Sequence, residues 1–218
     1  MSMIEFAVES RPVRAYQAAP SHSDGPGVLV LHAWWGLTPV FTGVCDRLAR
    51  EGFVALAPDL YNGQTADKIE EAERLAQSLD PEATSKVVNA AVERLREHEG
   101  VRGDRMGVIG FSLGSGFALT MGGPVAAIVT FYGTTYPEWS WAKAAFQGHF
   151  AENDPYEPAE YVRGLEDSLR RAGRDVTFYT YPGTSHWFFE PNRPEYNAQA
   201  ADLAWRRTLD FLRLHLSD

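Results

Sequence analysis

Apolar residues recur along this chain with two periods that take turns. Short apolar runs near 27–32, 53–57, 106–111, 125–132, 145–150 and 175–181 predict buried strands, and residues 4–9 and 13–18, flanking Arg11-Pro12, predict an initial hairpin. Between the runs, apolar positions at helical spacing predict helices near 38–50, 66–79, 83–98, 113–121 and 157–172, and a last one near 196–216. The stripes Tyr161, Leu165, Leu169 and Trp205, Leu209, Leu212, Leu216 read as core faces. Pro81 after Asp80 separates two helices, because proline is accepted at a helix start and poorly tolerated inside one. This alternation implies an α/β fold, a mostly parallel central sheet flanked by helices. No repeat, low-complexity tract or linker interrupts it, so residues 1–218 are expected to form one domain.

The most specific chemistry follows the run Met106-Gly-Val-Ile. Gly110-Phe111-Ser112-Leu113-Gly114 is a G-x-S-x-G placed between a predicted strand and a predicted helix, the context of a nucleophile elbow. Ser112 is then held in a strained turn, and side chains at Gly110 and Gly114 would collide with the neighbouring helix and strand. The small residues opening the helix permit close packing on the sheet, and its first N–H groups favour negative charge developing beside Ser112.

A serine hydroxyl is a weak nucleophile without a base, so the elbow predicts a downstream carboxylate and histidine in the order Ser, acid, His. His22, His32 and His98 precede Ser112, His149 precedes the best acid, and His215 lies in the last turns of a helix. His186, in Tyr181-Pro-Gly-Thr-Ser-His-Trp-Phe-Phe189, follows both a strand and an acid. Glu152-Asn153-Asp154-Pro155 leaves a strand end in a turn; Asp154 is the first choice of acid and Glu152 the reserve. Asp59, after Pro58, reads as a structural turn residue.

These segments carry a resemblance. Leu29-Val-Leu-His-Ala-Trp-Trp-Gly36, Ala57-Pro-Asp-Leu-Tyr61, the elbow, Gly148-His-Phe-Ala-Glu-Asn-Asp154 and Tyr181-Pro-Gly-Thr-Ser-His186 together resemble the dienelactone hydrolase family of α/β-hydrolases, nearly end to end. The resemblance implies a catalytic triad of Ser112, Asp154 and His186 and an oxyanion hole made by the backbone N–H groups of Trp34 and Leu113. Three departures are visible. The best-known members have a cysteine where this chain has Ser112, a glutamate at Ala33, and, about four residues after the histidine, an arginine that holds a substrate carboxylate, where this chain has Glu190. A thiolate benefits from a controlling carboxylate and a serine does not need one, so Ala33 goes with Ser112. Glu190, expected on the pocket rim, would repel an anionic substrate.

Five of the six tryptophans fall in loops after predicted strands, where such a fold builds its site. Trp34, Trp35, Trp139, Trp141 and Trp187, with Tyr132, Tyr136, Phe188 and Phe189, imply an aromatic-walled pocket for an aryl or medium acyl group. Residues 133–144 are too few for a separate cap domain, so the pocket should be shallow and partly open. The expected activity is hydrolysis of neutral carboxylic esters or lactones through an acyl-enzyme, without cofactor. Dienelactone hydrolysis or acyl transfer is the alternative within enzymes, and a ligand-binding or sensory module the alternative outside them.

Composition narrows the partners. A net charge of −9 argues against nucleic acid or an anionic membrane, and the partner implied by the Ser112, Asp154, His186 set is a small-molecule ester or lactone. No H-E-x-x-H spacing, P-loop or G-x-G-x-x-G after the first parallel strand points to a metal or nucleotide. The first residues read as a strand, not a signal peptide or membrane span, which suggests a cytoplasmic protein. Cys45, the only cysteine, lies on the stripe Val40, Phe41, Val44, Leu48 and reads as a buried structural thiol.

Overall fold

The computed structural model describes residues 1–22, 24–121, 125–137 and 143–217. Its strands are β1 (Ser2–Val8), β2 (Arg11–Ala18), β3 (Gly25–Leu31), β4 (Val54–Pro58), β5 (Val101–Phe111), β6 (Val125–Phe131), β7 (Ala145–Ala151) and β8 (Val176–Tyr181). The helices are α1 (Pro39–Arg50), α2 (Ile69–Gln77), α3 (Pro81–Arg96), α4 (Leu113–Leu119), α5 (Ala159–Arg171) and α6 (Ala198–Leu216). One eight-stranded sheet runs in the order β1-β2-β4-β3-β5-β6-β7-β8. The β1–β2 hairpin is antiparallel and joins β4 antiparallel, while every pairing from β4 through β8 is parallel.

The continuous apolar runs of the central strands serve two cores at once, because successive side chains point to opposite faces. Val28, Val30, Ile109, Val129 and Phe131 pack under α1 and α6. Leu29, Leu31, Val108, Ile128, Phe146 and Phe150 pack under α3, α4 and α5. Cys45 is buried on α1, as its stripe predicts. Trp205, Leu209, Leu212 and Leu216 are likewise buried, but on α5 the predicted stripe is shifted by one residue: Val162, Leu165 and Leu169 are buried and Tyr161 is half exposed. β5 begins five residues earlier than its apolar run, since Arg102–Arg105 are exposed and leave no hydrophobic signal. Its extra turn of chain pairs Val101 with Gly25.

After β3 the chain moves to β4 on one side and then returns to β5 on the other. The ends of β3 and β5 therefore flank the point where the strand order reverses, the usual crevice of an open α/β sheet. Contact there is close enough to exclude side chains. A Cβ on Gly114 would lie 2.7 Å from the His32 carbonyl oxygen, and one on Gly110 would lie 2.6 Å from that of Gly114. His32 ties the same corner together: its Nδ1 faces the Ala33 carbonyl at 2.7 Å, and its Nε2 accepts the Leu60 N–H at 3.2 Å. Burial pushes its pKa down, so it stays neutral. Asp59 accepts the N–H groups of Tyr61 and Gly63, at 3.0 and 2.5 Å, and is a turn residue as expected.

This packing separates two glycines of one short helix. Gly114→Ala should cost about 1–3 kcal/mol through overpacking against β3. Gly116→Ala, where a Cβ meets nothing within 4 Å, should leave stability unchanged or raise it by up to about 1 kcal/mol. Denaturant unfolding of the two variants beside the parent protein checks the contrast.

Candidate active site

Three residues other than glycine with positive φ gather at the carboxyl ends of the strands: Ser112 at 48°, Tyr132 at 38° and Trp187 at 64°. Such conformations persist where surrounding structure enforces them. For Ser112 the enforcement is visible. Its N–H donates to the Phe131 carbonyl at 2.9 Å, its own carbonyl accepts the Ser115 N–H at 2.9 Å, and α4 starts at the next residue. The buried Ser115 hydroxyl donates to the Gly110 carbonyl at 2.8 Å, so the second serine of the turn is structural.

The strained turn aims Ser112 Oγ at His186 Nε2, 3.0 Å away. On the other side of the ring, Nδ1 lies 2.9 and 2.8 Å from the two carboxylate oxygens of Asp154. A proton on Nδ1 satisfies the carboxylate and leaves Nε2 to accept from the serine. The His186 and Asp154 side chains are 3% and 1% exposed, so this chain of hydrogen bonds is shielded from bulk water. Asp154 is itself fixed: Oδ1 accepts the N–H groups of Tyr156 and Glu157 at 2.9 and 3.0 Å. Glu152, the reserve acid, turns elsewhere and accepts the Gly183 N–H at 2.9 Å, bracing the loop before His186. His149 belongs to a separate buried network, with Nδ1 2.7 Å from the Tyr181 hydroxyl and Nε2 3.0 Å from both Gln147 Oε1 and Thr208 Oγ1. Burial lowers its pKa to about 3.

The Leu113 N–H opens the first turn of α4, where a helix offers it no internal acceptor. Trp34 lies in the turn after β3, closed by the Gly36 N–H on the Ala33 carbonyl at 3.1 Å, and the close approach of Gly114 to His32 brings that turn beside α4.

The expected aromatic wall is sorted by burial. Trp34 stacks on Trp187 at 5.9 Å between centroids, and both meet Tyr156, at 5.7 and 5.3 Å. Trp35, Tyr132 and Trp187, expected in the pocket, are instead buried beneath it, Trp187 under the Trp34 and Tyr156 rings that it packs against. Trp35 is 1% exposed, with the Arg193 guanidinium 3.4 Å above its ring centroid, and Tyr132 is completely buried with its ring 4.9 Å from that of His186. Phe188 and Phe189 are core residues, and Tyr136 reaches α5, where its hydroxyl donates to the Tyr161 carbonyl at 2.5 Å. Trp139 and Trp141 lie outside the described residues. Tyr156, Glu157 and Arg193 were not singled out from the sequence. An Asp-Pro turn gives a weak signal for the first two, and nothing local marks Arg193.

Glu190 departs furthest from expectation. It is 1% exposed, and Oε1 accepts the Tyr132 hydroxyl at 2.8 Å, so it sits behind His186 and not on an open rim. Burial raises its pKa to about 8, which removes the negative charge expected to repel anionic substrates at neutral pH. Among the described residues no group of three or more His, Cys, Asp or Glu could hold a metal ion.

The raised pKa has a definite sign in stability. Between pH 4.5, where an ordinary glutamate titrates, and about pH 8, the folded protein keeps a proton that the unfolded chain has lost. Stability therefore falls as pH rises through that window and levels off above it. Glu190→Gln should remove this component, so its stability relative to the parent should improve by on the order of a few kcal/mol from about pH 5 to about pH 8. Denaturant midpoints of both proteins across that range check it; parallel curves would contradict it.

Comparison with known proteins identifies the family and the fold. The model of the dienelactone hydrolase family matches residues 13–216. The usf protein of Aquifex pyrophilus is 32% identical over 99% of both chains. A candidate carboxymethylenebutenolidase of Aquifex aeolicus (strain VF5) is 31% identical over 98% of both. The crystal structure of a candidate dienelactone hydrolase from Klebsiella pneumoniae subsp. pneumoniae MGH 78578 superposes with a TM-score of 0.85 at 23% identity, covering 97% of this chain and 98% of that one. The chain belongs to the dienelactone hydrolase family, on the α/β-hydrolase fold, and is a carboxylic ester or lactone hydrolase.

Proposed function

We propose that the reaction runs through an acyl-enzyme on Ser112. The observation that carries this reading is the shielded chain Ser112 Oγ, His186 Nε2, His186 Nδ1, Asp154, which begins at a residue forced into positive φ. Ser112 attacks the carbonyl carbon as His186 takes its proton, and Asp154 stabilises the imidazolium that forms. The Leu113 and Trp34 N–H groups stabilise the oxyanion, which needs donors already aligned where charge develops. The intermediate collapses, His186 protonates the departing alkoxide, and water then enters on the same base to release the acid and restore Ser112.

The substrate favoured is a neutral ester or lactone with an apolar or aryl group. A buried Glu190 in place of the family's arginine removes one anchor for a carboxylate, and the rings of Trp34 and Tyr156, backed by the buried Trp187, offer an apolar surface beside His186. Residues 1–218 acting as one domain is supported by the single sheet, whose strands run from Ser2 to Tyr181, and by α6 packed on one of its faces. Among the described residues no helix is long and apolar enough to cross a membrane, and a cytoplasmic location is supported by a lone, buried cysteine.

Ser112→Ala should lower kcat for an activated aryl ester by on the order of 10³-fold or more while the far-UV spectrum stays unchanged. Asp154→Asn should lower it far more than Glu152→Gln, because only Asp154 touches the imidazole. Steady-state kinetics of the three purified variants checks both statements; near-normal turnover by Ser112→Ala would overturn the mechanism, and the reverse ranking of the carboxylates would reassign the acid.

A further inference from the structure

His186 takes a proton from Ser112 Oγ and later gives one to the departing oxygen, so the 3.0 Å between Oγ and Nε2 has to be kept by structure outside the triad. Asp154 holds the ring only at Nδ1, a point about which the imidazole can still tilt. Ring packing limits that tilt. Three aromatic rings have their centroids 4.9–5.0 Å from that of His186. Tyr156 is 42% exposed and Trp187 is the next residue of the same loop, whereas Tyr132 is completely buried and comes from the end of β6.

Tyr132 is fixed to the nucleophile turn on both sides. The carbonyl of Phe131, before it, accepts the Ser112 N–H at 2.9 Å. Gly133, after it, lies so close that a Cβ there would stand 2.6 Å from the Ser112 carbonyl oxygen. The Tyr132 N–H donates to the His149 carbonyl on β7 at 2.9 Å, and the residue is held at a φ of 38°. Its hydroxyl then crosses to the other loop and donates to Glu190 Oε1 at 2.8 Å. Glu190 is part of the loop that bears the base, where its N–H donates to the Trp187 carbonyl at 2.9 Å. A single buried side-chain hydrogen bond thus joins the turn of Ser112 to the loop of His186.

We propose that Tyr132 and Glu190 are a positioning pair for the general base, setting the place and tilt of His186 relative to Ser112 through their hydrogen bond. The proposal rests on the acyl-enzyme reading above and adds two residues to it, neither of which touches the reacting atoms. Apolar side chains of similar shape could fill the same space at little cost in stability, but packing alone lets loops slide, whereas a hydrogen bond fixes a length and a direction. A positioning role and a merely structural one therefore part company: the first loses rate where the second loses nothing.

The test measures kcat and KM for a 4-nitrophenyl ester at neutral pH, with denaturant unfolding alongside, in the parent protein, Tyr132→Phe, Glu190→Leu, Tyr132→Phe/Glu190→Leu and Glu190→Gln. Tyr132→Phe and Glu190→Leu should each lower kcat about tenfold with KM within about twofold of the parent, because a small misplacement of the base acts on the chemical step. The double variant should lose no more than either single one, since the pair acts as a unit, and should be at least as stable as they are, since it leaves no polar group buried without its partner. Glu190→Gln, whose amide oxygen still accepts the Tyr132 hydroxyl, should keep kcat within about threefold of the parent. Parent-like kcat in folded Tyr132→Phe and Glu190→Leu, losses that multiply in the double variant, or a Glu190→Gln loss as large as that of Glu190→Leu would each overturn the positioning role alone. Absence of turnover by the parent protein, or turnover kept by Ser112→Ala, overturns the acyl-enzyme reading and this inference with it.

Discussion

The close approach of the first turn of α4 to the end of β3 is the constraint on which the site depends. Gly114 lies against the Leu31 and His32 carbonyls, and Gly110 lies against the backbone of Gly114 and Ser115, so there is space for neither side chain. That contact holds Ser112 at positive φ, brings the β3 turn carrying Trp34 beside the α4 N-terminus, and orients Oγ toward the crevice. A looser corner would relieve the strain and lose the alignment together. The cost is local and is offset by two cores, one on each face of the sheet.

The loop bearing His186 is fastened by different means. Its strained residue, Trp187, stacks among Trp34, Trp35 and Tyr156, and four residues after the histidine Glu190 binds Tyr132, which also underlies the imidazole. Arg193 extends the attachment to Trp35 and Asp67. Glu157 plays the same part for the acid loop, accepting the Thr134 N–H at 3.1 Å and its hydroxyl at 2.6 Å. Three loops from distant parts of the chain are thus braced mostly by buried polar and aromatic contacts, and the hydrogen bonds from Ser112 to Asp154 span the space between them.

The sequence made the frame legible because burial leaves periodic traces. Apolar runs located every strand, and the G-x-S-x-G, the Asp-Pro turn and the histidine after the last strand marked Ser112, Asp154 and His186 before their side chains could be seen together. Where a residue's role depends on what it meets across the fold, the traces fail. Glu190 reads as an exposed charge because carboxylates rarely lie buried, and only the Tyr132 hydroxyl opposite shows why it is tolerated inside. Trp34 and Trp35 are adjacent and identical in type, yet one is partly open and the other is covered by Arg193, a residue more than 150 positions away. The polar start of β5 lies at a register shift against β3, where only Val101 before it is paired, with Gly25, so no apolar alternation marks it.

The central claim is that Ser112 becomes acylated, and the most direct measurement is the intact mass of the protein quenched in acid during the first turnover of an activated acyl ester, followed by peptide mapping. The account predicts one acyl group per chain, carried on the peptide containing Ser112 and located on that residue by fragmentation, and its disappearance as the ester is exhausted. Turnover that proceeds with no adduct, or with the acyl group on another residue such as Ser115, would contradict it.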